Sequence, residues 1–93
     1  MTEEQVYDAI IEKNGWQHQY TVAIEELAEL TKELTKAIRN KISTAHICEE
    51  IADVEICLEQ IKRTIPRSKE QIQLFKEFKL KRLEVLYIDG VEK

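Results

Sequence analysis

Turn-forming residues are scarce in this chain, whose 93 residues include only two glycines and one proline. A β-sandwich or barrel needs frequent turns, and glycine and proline supply many of them, so the shortage argues against an all-β fold. Aromatic residues are also few, at 6% of the chain, whereas hydrophobic residues make up 43% and charged residues 34%. This balance is typical of a globular protein with a heavily charged surface, and long helices are the expected structure.

Other absences limit the classes of function. Cys48 and Cys57 are too far apart on one helix to form a disulfide, and no CxxC or cysteine–histidine spacing predicts a zinc site. No apolar run approaches the roughly 20 residues that span a bilayer, which predicts a cytoplasmic protein with no membrane partner. The 14 basic residues form no dense stripe and are outnumbered by 18 acidic ones, so duplex nucleic acid is not an expected partner.

The chain is expected to fold as a single domain over residues 1–93, with a core between about residues 3 and 87. Apolar side chains recur at intervals of three and four residues in four separate segments, which is the spacing of one face of an α-helix. Because the linkers between these segments are short, neighbouring helices should pack antiparallel. The predicted fold class is therefore all-α, an antiparallel bundle of about four helices.

Capping residues and helix breakers predict the ends of the first two helices. Thr2 followed by Gln5 fits a capping box, so a first helix is expected from about residue 3 to residue 13, stopped by Asn14-Gly15. The second helix is expected over about residues 18–40. The side chains predicted to face inward are Val6, Tyr7 and Ile10 on the first helix, and Ile24, Leu27, Leu34 and Ile38 on the second.

The last two helices are delimited in the same way. Ser43 or Thr44 can cap the third, which Pro66 ends. Ser68 with Gln71 offers another capping box for a fourth helix, which ends at Asp89-Gly90. The apolar set predicted to face inward is Ile47, Ile51, Val54, Leu58, Ile61 and Ile65 on the third helix, and Ile72, Phe75, Leu83 and Leu86 on the fourth.

Carboxylates are concentrated on the second and third helices. Glu26 and Glu29 are three residues apart on one helix, and Glu50 and Asp53 are three apart on the next, so each pair projects from one helical face. Two antiparallel helices could bring the four acids together beside the apolar stripe. Like charges gathered that closely repel unless a cation offsets them, so the arrangement predicts a metal site.

The chemistry of these ligands selects the metal. Oxygen ligands without cysteine or a well-placed histidine suit a hard ion, and Mg²⁺ binds through a few carboxylates together with water and substrate phosphates. Mn²⁺ could substitute for it. A di-iron carboxylate bundle would require Glu-x-x-His motifs, and neither His18 nor His46 follows a glutamate at that spacing. A chance arrangement of acids on the wet face of a highly charged helical protein is the alternative.

The residues Glu25-Glu26-Leu27-Ala28-Glu29 and Glu50-Ile51-Ala52-Asp53 together form an E-E-x-x-E and E-x-x-D pair of motifs. With them the chain resembles the MazG-like members of the all-α NTP pyrophosphatase superfamily, which bacteria and their phages often carry. The resemblance extends over about residues 16–86 and includes a Gly15-Trp16-x-x-Gln19 lead-in and a Lys79-x-x-Arg82 stretch. The paired motifs at this spacing are fairly specific, whereas either half alone is weak.

The resemblance implies a helical bundle that binds nucleoside triphosphates through Mg²⁺ and cleaves between the α and β phosphates. It implies that Glu26, Glu29, Glu50 and Asp53 are the metal ligands. Glu25 has a secondary position: it either orients a ligand or the attacking water, or is a solvated helix residue.

Four further residues are candidates for contact with the substrate. Lys79 and Arg82 either meet substrate phosphate or form an ordinary surface pair, Gln19 could hydrogen-bond a base, and Trp16 either stacks on a base or packs in the protein. No asparagine or aspartate at the start of the fourth helix completes a larger site, so the preferred nucleotide is not predicted.

An open acidic groove on so small a bundle would leave apolar area uncovered, so a homo-oligomer is expected, either a homodimer or a homotetramer. The expected activity is conversion of a (d)NTP to a (d)NMP and pyrophosphate, in nucleotide-pool house-cleaning or phage metabolism. The alternative function is a non-catalytic helical interaction or regulatory module whose acidic face docks a basic partner.

Overall fold

A computed structural model describes residues 1–41 and 43–89, and all regular secondary structure in these residues is helical. Four α-helices follow one another along the chain: α1 (Glu3–Asn14), α2 (Trp16–Ile38), α3 (Thr44–Arg63) and α4 (Ser68–Tyr87). The predicted all-α class and the number of helices are confirmed. Gly90, predicted to help end the fourth helix, lies outside the described residues. None of the described helices has the combination of length and apolar character needed to cross a membrane.

Local sequence signals explain the first three helix starts. The Thr2 and Gln5 side chains cap α1 reciprocally, each accepting a hydrogen bond from the other residue's backbone N–H. Gly15 stops α1 with a φ of 86°, a conformation that glycine adopts without steric cost, and α2 begins at the next residue, two earlier than predicted. Ser43 caps α3 by accepting from the N–H of His46.

The predicted capping box at the start of the fourth helix is wrong. The Ser68 hydroxyl donates to the Lys62 carbonyl at 2.6 Å and satisfies the end of α3 instead. Arg67 holds the cap position of α4 in a left-handed conformation, with a φ of 60° and no side-chain hydrogen bond to the helix. Ser68 thus belongs to the corner between the two helices, because its hydroxyl bonds a carbonyl at the end of α3 and not a backbone N–H at the start of α4.

The centre of the fold is the antiparallel pair α2–α3. The buried apolar residues Ala23, Val54 and Cys57 lie on these two helices, and α1 packs at one end of the pair. Arg63 of α3 donates two hydrogen bonds to Asp8 of α1, at 2.6 and 2.7 Å, in a bidentate ion pair that fixes this contact. This arrangement gives α2 and α3 a common interior and leaves their outer faces open.

Several apolar residues predicted to face the core do not do so. On α2, Ile24, Leu27, Leu34 and Ile38 are exposed, and small or polar residues, Ala23 and Gln19, are buried in their place. The reason is that α2 packs against α3 through a neighbouring face, so the apolar stripe lies to one side of the contact. The other predicted inward residues that the structure leaves exposed are Val6, Ile51, Leu58, Ile65, Phe75, Leu83 and Leu86.

Candidate metal site

Three of the predicted acids meet between α2 and α3. Glu26, Glu50 and Asp53 each offer a carboxylate oxygen, and these oxygens all lie within 4.8 Å of one another. All three residues are half-buried, because the facing helices cover one side of each side chain. The helical spacing of Glu50 and Asp53 puts both on the face of α3 that meets α2, and the antiparallel pairing brings Glu26 across to them. These three residues are called the acid cluster below.

The acid cluster is short of positive charge. The neighbouring Asp53 carboxylate, which can share a proton with Glu26, acts together with burial to raise the pKa of Glu26 to about 7. Burial, followed by the charges of Asp53 and Glu29, raises the pKa of Glu50 as well. Among the described residues, Glu50 Oε2 is a buried oxygen with no hydrogen-bond partner. A buried, unpaired carboxylate oxygen beside two further carboxylates is a suitable ligand arrangement for a hard cation.

Polar contacts between α2 and α3 bracket the acid cluster on both sides. Seven residues before Glu26, Gln19 Nε2 donates to Gln60 Oε1 at 2.9 Å, and both side chains are buried. Seven residues after Glu26, Glu33 Oε1 lies 3.9 Å from Nδ1 of His46. The cluster is therefore the middle of three polar layers between otherwise apolar helix faces.

Glu29 and Glu25 lie at the edge of this arrangement. Glu29 is exposed and is not one of the three acids whose oxygens converge, although its charge contributes to the raised pKa of Glu50. Glu25 is exposed as well. Successive helix positions are about 100° apart, so Glu25 and Glu29 point to the sides of the face that carries Glu26. The structure thus brings together three of the four predicted ligands.

The predicted substrate-contacting residues near the start of α2 have different surroundings. Gln19 is 4% exposed, and its amide is engaged by Gln60 rather than directed to solvent. Trp16 is half exposed and packs edge-to-face on Tyr20, with the ring centres 5.2 Å apart. The Tyr20 hydroxyl in turn lies 2.8 Å from the Thr64 hydroxyl of α3. Trp16 therefore has a free face on which another planar group could stack.

Lys79 and Arg82 are exposed on α4, and of the other helices α4 approaches only α3. The structure brings neither residue into the acid cluster. The two principal clefts, of about 530 and 260 Å³, also lie elsewhere: both are lined in part by Tyr7 of α1 and by Glu59 and Lys62 of α3, and neither includes an acid of the cluster. The acid cluster, half-buried between α2 and α3, therefore lies outside both of these clefts.

Two neighbours of the acid cluster are absent from the sequence prediction. Cys57 is buried beside it: burial, and then the charges of Glu26 and Asp53, raise the pKa of its thiol. Gln60 forms the adjacent polar layer. Cys57 follows Asp53 by four residues on the same helical face, which is a signal that the sequence does contain. The pairing of Gln60 with Gln19 carries no comparable signal, because it depends on the alignment of two helices.

Comparison of the chain with protein-family models, with curated proteins and with solved structures finds no match in any of the three.

Proposed function

We propose that the protein is a Mg²⁺-dependent nucleoside triphosphate pyrophosphohydrolase that converts a (d)NTP and water to a (d)NMP and pyrophosphate. The observation that carries this proposal is the convergence of Glu26, Glu50 and Asp53, which belong to the E-E-x-x-E and E-x-x-D motifs. The MazG-like pairing of these motifs suggests the reaction, and the acid cluster supports a metal at their meeting point.

The residues present fit a hard divalent cation. The unpaired oxygen of Glu50 and the carboxylates of Glu26 and Asp53 would hold it, with Glu29 available from the edge of the site. Bound there, Mg²⁺, or Mn²⁺ in its place, would offset negative charge on the phosphates and lower the pKa of a bound water. The open side of the site leaves room for water and phosphate oxygens, which usually complete the Mg²⁺ coordination.

The chain's own groups have defined roles in this proposal. With its pKa raised to about 7, Glu26 is partly protonated near neutral pH when no cation is present, and it would release that proton if a cation bound between the carboxylates. Glu25, exposed on the preceding helical position, either would orient a ligand or the attacking water at the rim of the site or is a solvated helix residue. In the reaction a water oxygen bonds to the α or the β phosphorus, the bridging P–O bond between these phosphates breaks, and the water protons pass to the products and the solvent as the monophosphate and pyrophosphate separate.

The proposal includes a cytoplasmic homo-oligomer that acts in nucleotide-pool house-cleaning or phage metabolism. Trp16, with one face free, is the residue best placed to stack on a nucleotide base. Lys79 and Arg82 would reach phosphate only on a neighbouring surface, since they lie outside the acid cluster of their own chain. The buried Gln19 amide acts on the alignment of α2 and α3 rather than on a base.

The second candidate function is a regulatory module whose acidic surface binds a basic partner. It is favoured by the same excess of carboxylates, nine against four basic side chains on α2 and α3 together. It predicts binding that salt weakens, because exposed ion pairs are screened, and no dependence on a divalent cation. Dependence on a divalent cation therefore distinguishes the two candidate functions.

The decisive experiment incubates the purified protein with a panel of canonical and modified nucleoside triphosphates, with Mg²⁺ or with a chelator, and follows pyrophosphate release. We expect release from at least one triphosphate in Mg²⁺ and none in the chelator. Absence of release across the panel would reject the enzymatic proposal. Release of orthophosphate instead of pyrophosphate would show cleavage at a different bond and would also contradict it.

A further inference from the structure

The last helix is almost unpacked within its own chain. Apart from Ser68 at its first position, no residue of α4 is buried, and Leu74, Phe75, Phe78 and Leu80 are each more than 60% exposed. The helix makes close backbone contact only with α3, and Lys76 lines a cleft with Tyr7 of α1 and Leu58 of α3. A 20-residue helix rich in apolar side chains is only marginally stable in water without a packing partner, because most helical stability in proteins comes from packing. Something other than the same chain's body should therefore cover α4.

The α2–α3 pair has a matching open surface. On α2 the exposed apolar residues are Ile24, Leu27, Leu34 and Ile38. On α3 they include Ile51 and Leu58, and Ile65 follows in the corner after α3 at the same seven-residue spacing. On each helix, these residues lie to one side of the face that joins the two helices, rotated about the helix axis in the direction in which the chain winds. Because the two helices are antiparallel, this rotation puts both sets on the same side of the pair. These seven residues are called the open face below. It extends about 21 Å along α2, within the roughly 30 Å length of a 20-residue helix such as α4.

The surface area of the chain indicates how much must be covered. The accessible surface is 7610 Å², about 2000 Å² more than the roughly 5600 Å² expected of a compact 11.0 kDa monomer. The radius of gyration is 16.8 Å, against about 12 Å for a compact domain of this length. An excess of this size is comparable with the area that each partner buries in an obligate homodimer.

Charge agrees with the match between α4 and the open face. Helix α4 carries five lysines and arginines against three glutamates, whereas α2 and α3 together carry nine acids against four basic residues. A basic, apolar helix and an acidic, apolar-faced helix pair are complementary. Two copies of one chain supply each component twice, which permits a closed two-fold arrangement.

We propose that α4 of each copy packs across the open face of a second copy, so that two chains exchange their last helices reciprocally. The exchange covers the open face and α4 in a single contact, made twice. It specifies the surface behind the oligomer proposed above, and it stands whether or not the protein hydrolyses nucleotides. Because the contact uses two different surfaces, it differs from a dimer in which like surfaces meet.

The test uses two full-length double variants. A face variant, Leu27→Glu with Leu58→Glu, blocks acceptance of α4, and an arm variant, Phe75→Glu with Phe78→Glu, blocks its donation. All four residues are more than 40% exposed, so the helices should form as in the wild type, which circular dichroism checks. Val6→Glu, an exposed apolar residue on α1, is the matched control. Native mass spectrometry and sedimentation measure the assemblies.

We expect the wild type and the control to have at least twice the mass of one chain, and each double variant to associate roughly 100-fold more weakly or worse. An equimolar mixture of the two variants should give a 1:1 heterodimer, since the arm of one meets the intact face of the other. A monomeric wild type would overturn the proposal. Loss of assembly in only one of the two variants, or no heterodimer in the mixture, would show that like surfaces meet and would overturn it as well.

Discussion

The α2–α3 pair and α4 hold their apolar residues in different ways. Helices α2 and α3 enclose Ala23, Val54 and Cys57 between them, whereas α4 buries no apolar side chain among the described residues. The same kind of apolar spacing predicts all of these segments as helices. The difference teaches that spacing identifies a helix without identifying the surface that covers it.

The physical origin of the difference lies in the distribution of apolar residues, since the linkers that follow α2 and α3 are both short. On α4, Phe75 and Leu80 are five residues apart and project about 140° apart around the helix, so no single neighbour can cover both. Helices α2 and α3 can therefore bury apolar side chains against each other, whereas the apolar side chains of α4 require a broader surface to cover them.

The largest predicted effect concerns the acids that only the α2–α3 pair assembles. Glu50→Gln and Asp53→Asn should each reduce the rate of pyrophosphate release by at least about 100-fold. Replacing a residue that only hydrogen-bonds to a metal ligand can already reduce activity by up to about that factor. Glu55→Gln, an exposed acid of the same helix, is the matched control and should change the rate less than twofold. Metal-free thermal stability should be equal or higher in both site variants, because each removes like-charge repulsion.

Unchanged activity in both site variants would show that the acid cluster is not the metal site, even if hydrolysis itself is real. A large loss of metal-free stability would instead favour a structural role for these carboxylates.

The next effect is on the interior of the helix pair. Gln60→Leu leaves the buried Gln19 amide without its partner and should lower the free energy of unfolding by about 1–3 kcal/mol. Adding Gln19→Leu to the same chain should recover part of that loss, because both polar groups are then gone. Denaturant unfolding measures both variants. Equal loss in the single and double variants would contradict a cooperative amide pair.

A pH titration sharpens the contrast further, because Glu26 and Glu50, whose pKa values are raised, lie on the α2–α3 pair. Glu26 binds its proton more tightly in the folded chain than in the unfolded one, so without metal its contribution to stability is full below about pH 4.5. That contribution is lost as the pH rises through about 7. The pKa of Glu50 is also raised, so its contribution to stability changes with pH in the same direction.

Thermal melts between pH 4.5 and 7.5 in a chelator test this trend, with Glu26→Gln as the variant that should flatten it. Asp8 and Glu59 have lowered pKa values, so their contributions to stability are lost as the pH falls, and this loss occurs at lower pH. Saturating Mg²⁺ should reverse the trend, because cation binding requires the deprotonated carboxylates. Rising metal-free stability across this window, unchanged in Glu26→Gln, would contradict the assignment.

The smallest predicted effect is at the corner that leads to α4. Arg67 has a φ of 60°, a region that costs a residue with a Cβ about 1–2 kcal/mol and costs glycine little. Because glycine also loses more backbone freedom on folding, Arg67→Gly should stabilise the protein by no more than about 1 kcal/mol. Differential scanning calorimetry can detect that change. A decrease in melting temperature would show that the Arg67 side chain stabilises the corner.

The helix ends were the features most accessible to sequence analysis, because short-range chemistry determines them. Thr2, Gly15 and Ser43 act as predicted, each through contacts within a few residues. Ser68 does not, because its hydroxyl finds a carbonyl of the preceding helix. The prediction therefore failed where two helices compete for one side chain.

The candidate site was predicted in part for the same reason. Helical spacing relates Glu50 to Asp53, and the pairing of neighbouring helices brings Glu26 to them, as expected. Glu29 lies about 60° around the helix from the Glu26 direction at ideal geometry, so a three-residue spacing does not ensure that both side chains converge. The exposed apolar stripes were misassigned because spacing alone does not show which face of a helix packs against the rest of its own chain.

The amide pair between Gln19 and Gln60 has a consequence for how α2 and α3 wind. Polar layers recur every seven residues on both helices, but seven residues fall about 20° short of two full turns, so the layers stay in line only if the helices supercoil in a left-handed sense. Slippage by one turn would put Gln19 opposite Ile56 or Thr64 and break the hydrogen bond between the two buried amides. An uncharged pair thus fixes the register that keeps Glu26 opposite Asp53.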